Sequence, residues 1–402
     1  RPLGSELLAP RLVHLARYHR DLAHRVRTVV CLKDLVRSRL AGSGGERGSD
    51  GGSDTKGGVR VDWSFRDYSL LRDRRDRPIR PILALLEAEG YVRPETLLPV
   101  AGPAHHAVDR VSPTMAKELG IPAGIPLALG STDGTAAMYG GGVMAEGSVV
   151  AVLGTTDVVM RAVPSASAIP VTPGAAERLS RNACIVPGYE LSGGSTSASG
   201  ATLHWMRELL KDQEGWEHIP PGAGGVMVAP GFAGERAPWN DPDARGAIQG
   251  LTLAHRGAHV ARALREAQIF RLRLLLEEVA AGMKPETIVA GGGNRSPSLD
   301  ALRSAILPWP LRWRRDGELS LCGTAIFALA SRMEDEEARN GTVHRLCVGA
   351  ARDVEDRDVE DRDVNDRSAD VEECPAAGYD ASYEDLYQEW CRWISNLYGE
   401  ER

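Results

Sequence analysis

Several absences narrow this chain before any motif is read. Its six cysteines, Cys31, Cys184, Cys322, Cys347, Cys374 and Cys391, lie far apart with no C-x-x-C pair. That argues against a zinc cage or a disulfide framework and suits a reducing, cytoplasmic compartment. No apolar run approaches the roughly 18–20 residues that span a bilayer. There is no G-x-x-x-x-G-K-[ST], which excludes a P-loop, and no G-x-G-x-x-G with an acidic ribose partner. Forty-eight Lys and Arg against 55 Asp and Glu give a net charge of −7, without the basic face that marks nucleic-acid binding. The arginine-rich RDYSLLRDRRDRPIR (66–80) reads as solvated surface. The opening RPLGSELLAPRLVHL has neither an initiator methionine nor a signal-peptide pattern and reads as a fragment or processed product.

What is present is ordinary for a soluble globular protein: 43% apolar and 26% charged residues over 402 positions, enough for two or three domains. Apolar residues at three- and four-residue spacing predict helix from Ser5 to Leu40. GSGGERGSDGGSDTKGG (42–58) is a solvated loop, and IRPILALLEAEGY (79–91) is helical. IPLALGS (125–131), GSVVAVLGTTDVVMRAV (147–163) and CIVPGYELSGG (184–194) read as strands. Gly140, Gly141 and Gly142 between the first two suit a hinge. The clearest long helix is HVARALREAQIFRLRLLLEEVAAGM (259–283), followed by the strand TIVA, a glycine turn and a helix opening at Ser296. The repeated DVEDR, DVEDR, DVNDR (353–367) reads as a charged insertion, and YEDLYQEWCRWISNLYG (383–399) as an aromatic helix docked on a core. Strands alternating with helices throughout imply an α/β fold.

Four short stretches could do chemistry. Asp133 follows an apolar strand, where α/β sheets place ligands. The same Asp could equally cap the helix beginning at 135–137, a role worth about 1 kcal/mol. Gly154-Thr155-Thr156 follows a strand, and its amides and hydroxyls suit phosphate oxygens. GGGNRS (291–296) lies between a strand and a helix start, which favours anionic or nucleotide groups. SGGSTSASGATLHW (192–205) supplies another glycine-lined helix entrance. One acid and three glycine turns suit phosphoryl transfer: the acid accepts a hydroxyl proton, the turns hold phosphates and closure removes water.

In this order the pieces resemble the FGGY family of carbohydrate kinases. CLKDLVRSRLAG (31–42) is similar to the family's Lys-Asp helix, and VDWSFRDYSLLRD (61–73) to its Asp-x-Ser segment. ALGSTDGTAAMYGGG resembles the catalytic-aspartate segment, VLGTTDVVM the phosphate turn and IVAGGGNRSPSLDALRSAIL the adenosine turn. The most specific match is GFAGERAPWNDPDARGAIQGLTLAH (231–255). The resemblance implies two RNase-H-like, actin/hexokinase-type domains with a central ATP cleft, here 1–142 on the sugar side and 143–402 on the nucleotide side. It implies that Asp133 is the general base and meets the sugar with Gly134. It also implies that Gly154, Thr155, Thr156, Gly200, His204, Gly291, Gly292, Gly293 and Ser296 face ATP. The cofactors implied are ATP and Mg²⁺, and the partners a sugar and ATP, with no nucleic acid or membrane; a homodimer is allowed. A ketose such as xylulose is the expected substrate, with gluconate as the alternative because the Asp-Gly at the base also resembles gluconate kinases. The family's opening Asp-x-Gly-Thr hairpin is not found ahead of residue 5, so the first domain is expected to be incomplete. A nucleotide-binding remnant without catalysis is the reading from another class.

Overall fold

Leucines spaced three and four apart wind the first helix, Leu8–Tyr18, which buries Ala9, Leu12 and Ala16. The computed structural model describes residues 7–42, 60–73, 75–91, 94–145, 147–165, 179–210, 213–280, 282–283, 285, 287–314, 318–355, 371–373 and 378–398. The single helical run expected to reach Leu40 is interrupted. The chain leaves helical geometry at His19 (φ −139°), resumes briefly in Arg20–Ala23, and starts the helix Leu32–Leu40 only after a stretch, 26–31, that is neither helix nor strand. That stretch holds Val26, Val29 and Val30, whose branched side chains favour extended backbone. The Val29 N–H is also drawn away, to the Leu97 carbonyl at 2.8 Å.

Two compact units result. The first comprises Arg1–Ala136, Asn182–Tyr189 and Ser320–Leu346; the second comprises Ala137–Arg181, Glu190–Leu319 and Cys347–Arg402. In the first, β1 (Arg60–Asp62) pairs in parallel with β2 (Val100–Gly102), and β3 (Ala107–Arg110) pairs antiparallel with β4 (Pro126–Ala128). Its apolar core joins Leu12 and Ala16 to Val61, Leu71, Leu83, Leu86 and Leu97. Tyr91 closes it with a hydroxyl donated to the Leu12 carbonyl at 2.9 Å.

The second unit is built on a seven-stranded sheet. Its strands are β5 (Ser148–Leu153), β6 (Asp157–Pro164), β7 (Ser180–Ala183), β8 (Tyr189–Ser195), β11 (Thr287–Gly291), β12 (Leu311–Arg314) and β13 (Val371–Glu373), ordered β13-β12-β11-β5-β6-β8-β7. β11 runs parallel to both β5 and β12, while β5 and β6 are antiparallel. The near-continuous burial of SVVAVL is what an interior strand requires. A small antiparallel pair, β9 (Met227–Ala229) and β10 (Ala247–Gln249), stands apart from this sheet.

The helix Gly257–Ala280 is buried nearly all round, charged residues included. The aromatic helix Ser382–Tyr398 docks as expected, burying Tyr383, Tyr387, Trp390 and Ile394 at helical spacing. Phe270 meets three of these rings, and Trp390 donates its indole N–H to the Val228 carbonyl at 2.9 Å. Most of the loop expected at 42–58 and of the DVEDR repeat lies outside the described residues; 353–355 end the helix Glu336–Glu355. Among the described residues no helix is long and apolar enough to cross a membrane.

One buried ion pair holds the second unit together at its centre. Arg271 Nη1 lies 2.9 Å from Glu235 Oε1, both side chains at 0% exposure, and Arg271 also donates to the Ala198 carbonyl. Burial pushes the Glu235 carboxyl up, and Arg271 opposes that shift. Arg271→Ala leaves a carboxylate and a carbonyl buried without their donor. We expect it to cost about 3–5 kcal/mol, read from the urea midpoint at unchanged slope. A loss under about 1 kcal/mol would show that the pair does not carry this load.

Candidate active site

The second unit gathers the three glycine turns into one place. β5 and β11 are parallel neighbours, with Gly291 in register with Val152, so the turns that follow them emerge side by side at the carboxyl ends of the strands. Three consecutive carbonyls then tie the turns together. Leu153 O accepts the Asn294 N–H at 3.1 Å, Gly154 O accepts the Gly200 N–H at 3.0 Å, and Thr155 O accepts the Ser199 N–H at 2.8 Å and the Ala201 N–H at 3.3 Å. Side chains add to the seam: Asn294 Nδ2 donates to Ser199 Oγ at 3.3 Å, and Gln268 Nε2 donates to Ser199 O at 2.9 Å. The helix Gly200–Leu209 begins at this seam, so the positive end of its dipole lies beside Gly154 and Thr155.

The glycines divide by physical role. Gly292 has φ +105°, and a Cβ there would collide with the Leu153 carbonyl oxygen. A Cβ on Gly200 would stand 2.6 Å from Gly154 O. Both are therefore glycine because neighbouring backbone is close, whatever ligand binds. Gly154 and Gly293 are different: a Cβ on Gly154 would meet only Thr156 O at 3.8 Å, and one on Gly293 would meet nothing within 4 Å. These two, with the exposed Thr155 side chain and the half-buried Thr156, form the open part of the seam. Gly291 is buried at the end of β11. Ser296 caps the helix Pro297–Ile306, its hydroxyl accepting the Leu299 N–H at 3.2 Å. His204 is exposed, one helical turn after Gly200.

Asp157, directly after the Gly-Thr-Thr turn, escaped the reading of the sequence. It is 3% exposed and exchanges backbone hydrogen bonding with Thr196: its N–H goes to Thr196 Oγ1 and its carbonyl takes the Thr196 N–H, each at 2.9 Å. Burial pushes its carboxyl up, while Arg271, a Ser199 hydrogen bond and Arg303 pull it down. An Asp following a strand-end turn in an apolar run was the available signal.

In the first unit, Asp133 opens the helix Asp133–Gly140, five residues beyond the end of β4. Its side chain is exposed, and Oδ1 accepts the Gly134 N–H at 2.8 Å. A Cβ on Gly134 would meet nothing within 4 Å, so space beside the carboxylate is open. Asp133 thus lies both beyond a strand's carboxyl end and at a helix start. The glycines expected as a hinge are bonded as a helix end: Gly141 N–H reaches Ala137 O at 2.9 Å and Gly142 N–H reaches Tyr139 O at 3.1 Å. A Cβ on Gly141 would approach Val150 Cγ1 to 2.5 Å, so close packing on β5 accounts for that glycine. Beneath the loop before Asp133 lie Lys33, Asp34, Asp62, Ser64 and Ser131, which the sequence had offered only as parts of motifs.

Residues 149–332 match the model of the FGGY family of carbohydrate kinases, C-terminal domain. The chain is 32% identical over 221 residues to a glycerol kinase of Alkalilimnicola ehrlichii, covering 52% of this chain and 44% of that protein. It is 26% identical over 297 residues to a gluconokinase of Bacillus subtilis, covering 66% and 55%. A ligand-bound xylulose kinase from Lactobacillus acidophilus superposes with a TM-score of 0.72 at 19% identity, over 98% of this chain and 73% of that one. The fold is therefore the two-domain, actin/hexokinase-like α/β architecture. Over 149–332 the chain is thus similar to the C-terminal domain of the FGGY carbohydrate kinases. It spans about half the length of the relatives it matches in sequence.

The two classes of glycine predict opposite outcomes. Gly292→Ala should destabilise the protein with or without nucleotide, because its carbonyl neighbour cannot move away cheaply. Gly293→Val should keep the melting temperature of the ligand-free protein and lose most of the stabilisation by ADP. That stabilisation is about 2.7 kcal/mol at 100 times Kd for an unaltered site. Full ADP stabilisation in Gly293→Val, measured by thermal melts, would remove Gly293 from the nucleotide surface.

Proposed function

We propose that this chain binds ATP on the seam of three turns and transfers the γ-phosphoryl group to a hydroxyl of a sugar or polyol, with Asp133 as general base. The observation that carries this is the suspension of all three glycine turns from the successive carbonyls of Leu153, Gly154 and Thr155. That arrangement leaves Gly154 and Gly293 with open space and Thr155 exposed beside a helix amino terminus, which suits a polyphosphate. Phosphoryl transfer asks little covalent chemistry of the protein; it asks for positioned donors and a base for the attacking hydroxyl. Asp133, exposed and with open space at Gly134, meets the second demand.

Mg²⁺, which the family resemblance implies, would arrive with the phosphates. Among the described residues no three His, Cys, Asp or Glu side chains gather as a cage, and Mg²⁺ needs only one or two carboxylates besides phosphate and water. The substrate we favour is a ketopentose such as xylulose. The gluconate kinase from Lactobacillus acidophilus fits the fold nearly as well, with a TM-score of 0.71 at 19% identity, so gluconate is the second candidate. The proposed setting is the cytoplasm.

The test is ADP release from ATP and Mg²⁺ with xylulose, gluconate and glycerol in parallel. Turnover stimulated by one of them is expected, and Asp133→Asn should lower its kcat by roughly 10²- to 10⁴-fold with ADP affinity unchanged. Stabilisation by ADP with no stimulation by any substrate would refute transfer and leave a nucleotide-binding protein. Unchanged turnover in Asp133→Asn would refute the base.

A further inference from the structure

Three segments remote in sequence meet beneath the loop that carries Asp133. The helix Leu32–Leu40 brings Lys33 and Asp34, the end of β1 and the helix Trp63–Ser69 that follows it bring Asp62 and Ser64, and the loop 129–132 brings its own backbone and Ser131. Lys33 Nζ lies 2.8 Å from Asp34 Oδ1 and 2.9 Å from Asp62 Oδ1, and it donates to the Leu129 carbonyl at 3.1 Å. The Ser64 hydroxyl donates to Asp62 Oδ2, lies 3.0 Å from Ser131 Oγ, and accepts a long bond of 3.4 Å from the Thr132 N–H. Ser131 Oγ also reaches Asp62 Oδ2 at 3.3 Å.

The cluster is an unusual way to fill a core. Asp34 is 0% and Asp62 1% exposed, and one lysine faces both. Burial works against the Lys33 charge, but Asp62 and Asp34 outweigh it and hold its pKa above the ordinary value; burial pushes Asp34 up. Apolar residues of similar volume would stabilise such a site as well or better. What the charged set does, and apolar packing would not, is direct hydrogen bonds at Leu129, Ser131 and Thr132. Asp133 is the next residue. From the other side, Ser320 Oγ holds the Asp133 carbonyl at 3.2 Å, and Thr132 Oγ1 donates to Thr135 Oγ1 at 2.9 Å.

We propose that Lys33 and the Ser64–Ser131 hydroxyl pair are positioning residues: they pin the 129–132 loop and so fix the direction in which Asp133 presents its carboxylate. The proposal rests on Asp133 serving as the base. A displacement of about 1 Å at a reacting group can cost on the order of 10²-fold in rate, so losses of that order are expected from side chains that touch no substrate.

The test has two arms, both on the full chain. In the first, hydrogen exchange is followed by mass spectrometry in Ser64→Ala and Ser131→Ala. Peptides covering 129–134 should exchange at least tenfold faster than in the unaltered protein, peptides covering 153–156 should not change, and Ser131→Thr should restore protection. In the second arm, Ser64→Ala and Lys33→Met should lower kcat about 10- to 100-fold with the ATP KM unchanged. Neither should cost anything further when Asp133 is already Asn. Unaltered exchange at 129–134 in both serine variants would overturn the proposal, as would an equal loss of kcat in both Asp133 backgrounds. Asp133→Asn with full turnover would instead refute the base and leave the exchange arm to judge the pinning of the loop.

Discussion

Three consecutive carbonyl oxygens at the end of one strand hold the second unit in its shape. At Leu153, Gly154 and Thr155 the chain leaves the sheet, and the freed acceptors take N–H groups from Asn294, Gly200, Ser199 and Ala201. Each bond contributes only about 1 kcal/mol net. Their collective effect is geometric: they force two other turns to within backbone contact of the first. Gly200 and Gly292 follow from that closeness, since a Cβ at either would press on the Gly154 or the Leu153 carbonyl. Gly154 and Gly293 are left with space beside them.

Buried charge reinforces the same seam from behind. Arg271 joins Glu235 to the Ala198 carbonyl, one residue before Ser199. Arg303 donates to Asn294 O at 2.7 Å and to Asp300 Oδ1 at 2.8 Å, and it lies over the Trp313 ring with its centre 5.5 Å from the ring centroid. Glu235 belongs to GERAPW, the part of the sequence with the most specific resemblance, yet its carboxylate points to an internal arginine. The motif's residue types at that point answer the need to neutralise a buried guanidinium beside a carbonyl, which is costly to leave unpaired.

Helical periodicity carried much of the fold. The helices Gly257–Ala280 and Ser382–Tyr398 and the interior strand Ser148–Leu153 stand where spacing and apolarity put them. The break at His19 and the non-helical Val29–Val30 stretch were not legible, because the bond from Val29 to Leu97 depends on a segment 68 residues away (97 − 29). The turns at 154–156, 200 and 291–293 could be seen one at a time, but not their suspension from a single strand end, which is set by sheet order. The reason for each glycine was hidden as well: at 292 the neighbour is a carbonyl of another strand. Lys33, Asp34, Asp62 and Ser64 look like ordinary polar surface in isolation, and only the meeting of three segments makes them a buried cluster. Asp157 was passed over because a single acid after a turn has no periodic signature.

The most direct test of the central claim is an amide-exchange footprint of ADP on the intact chain. One nucleotide seated on a single seam should slow exchange at 154–156, 199–201 and 292–294 together, with the same dependence on ADP concentration. Protection confined to one of these turns, or found only elsewhere in the chain, would contradict the account.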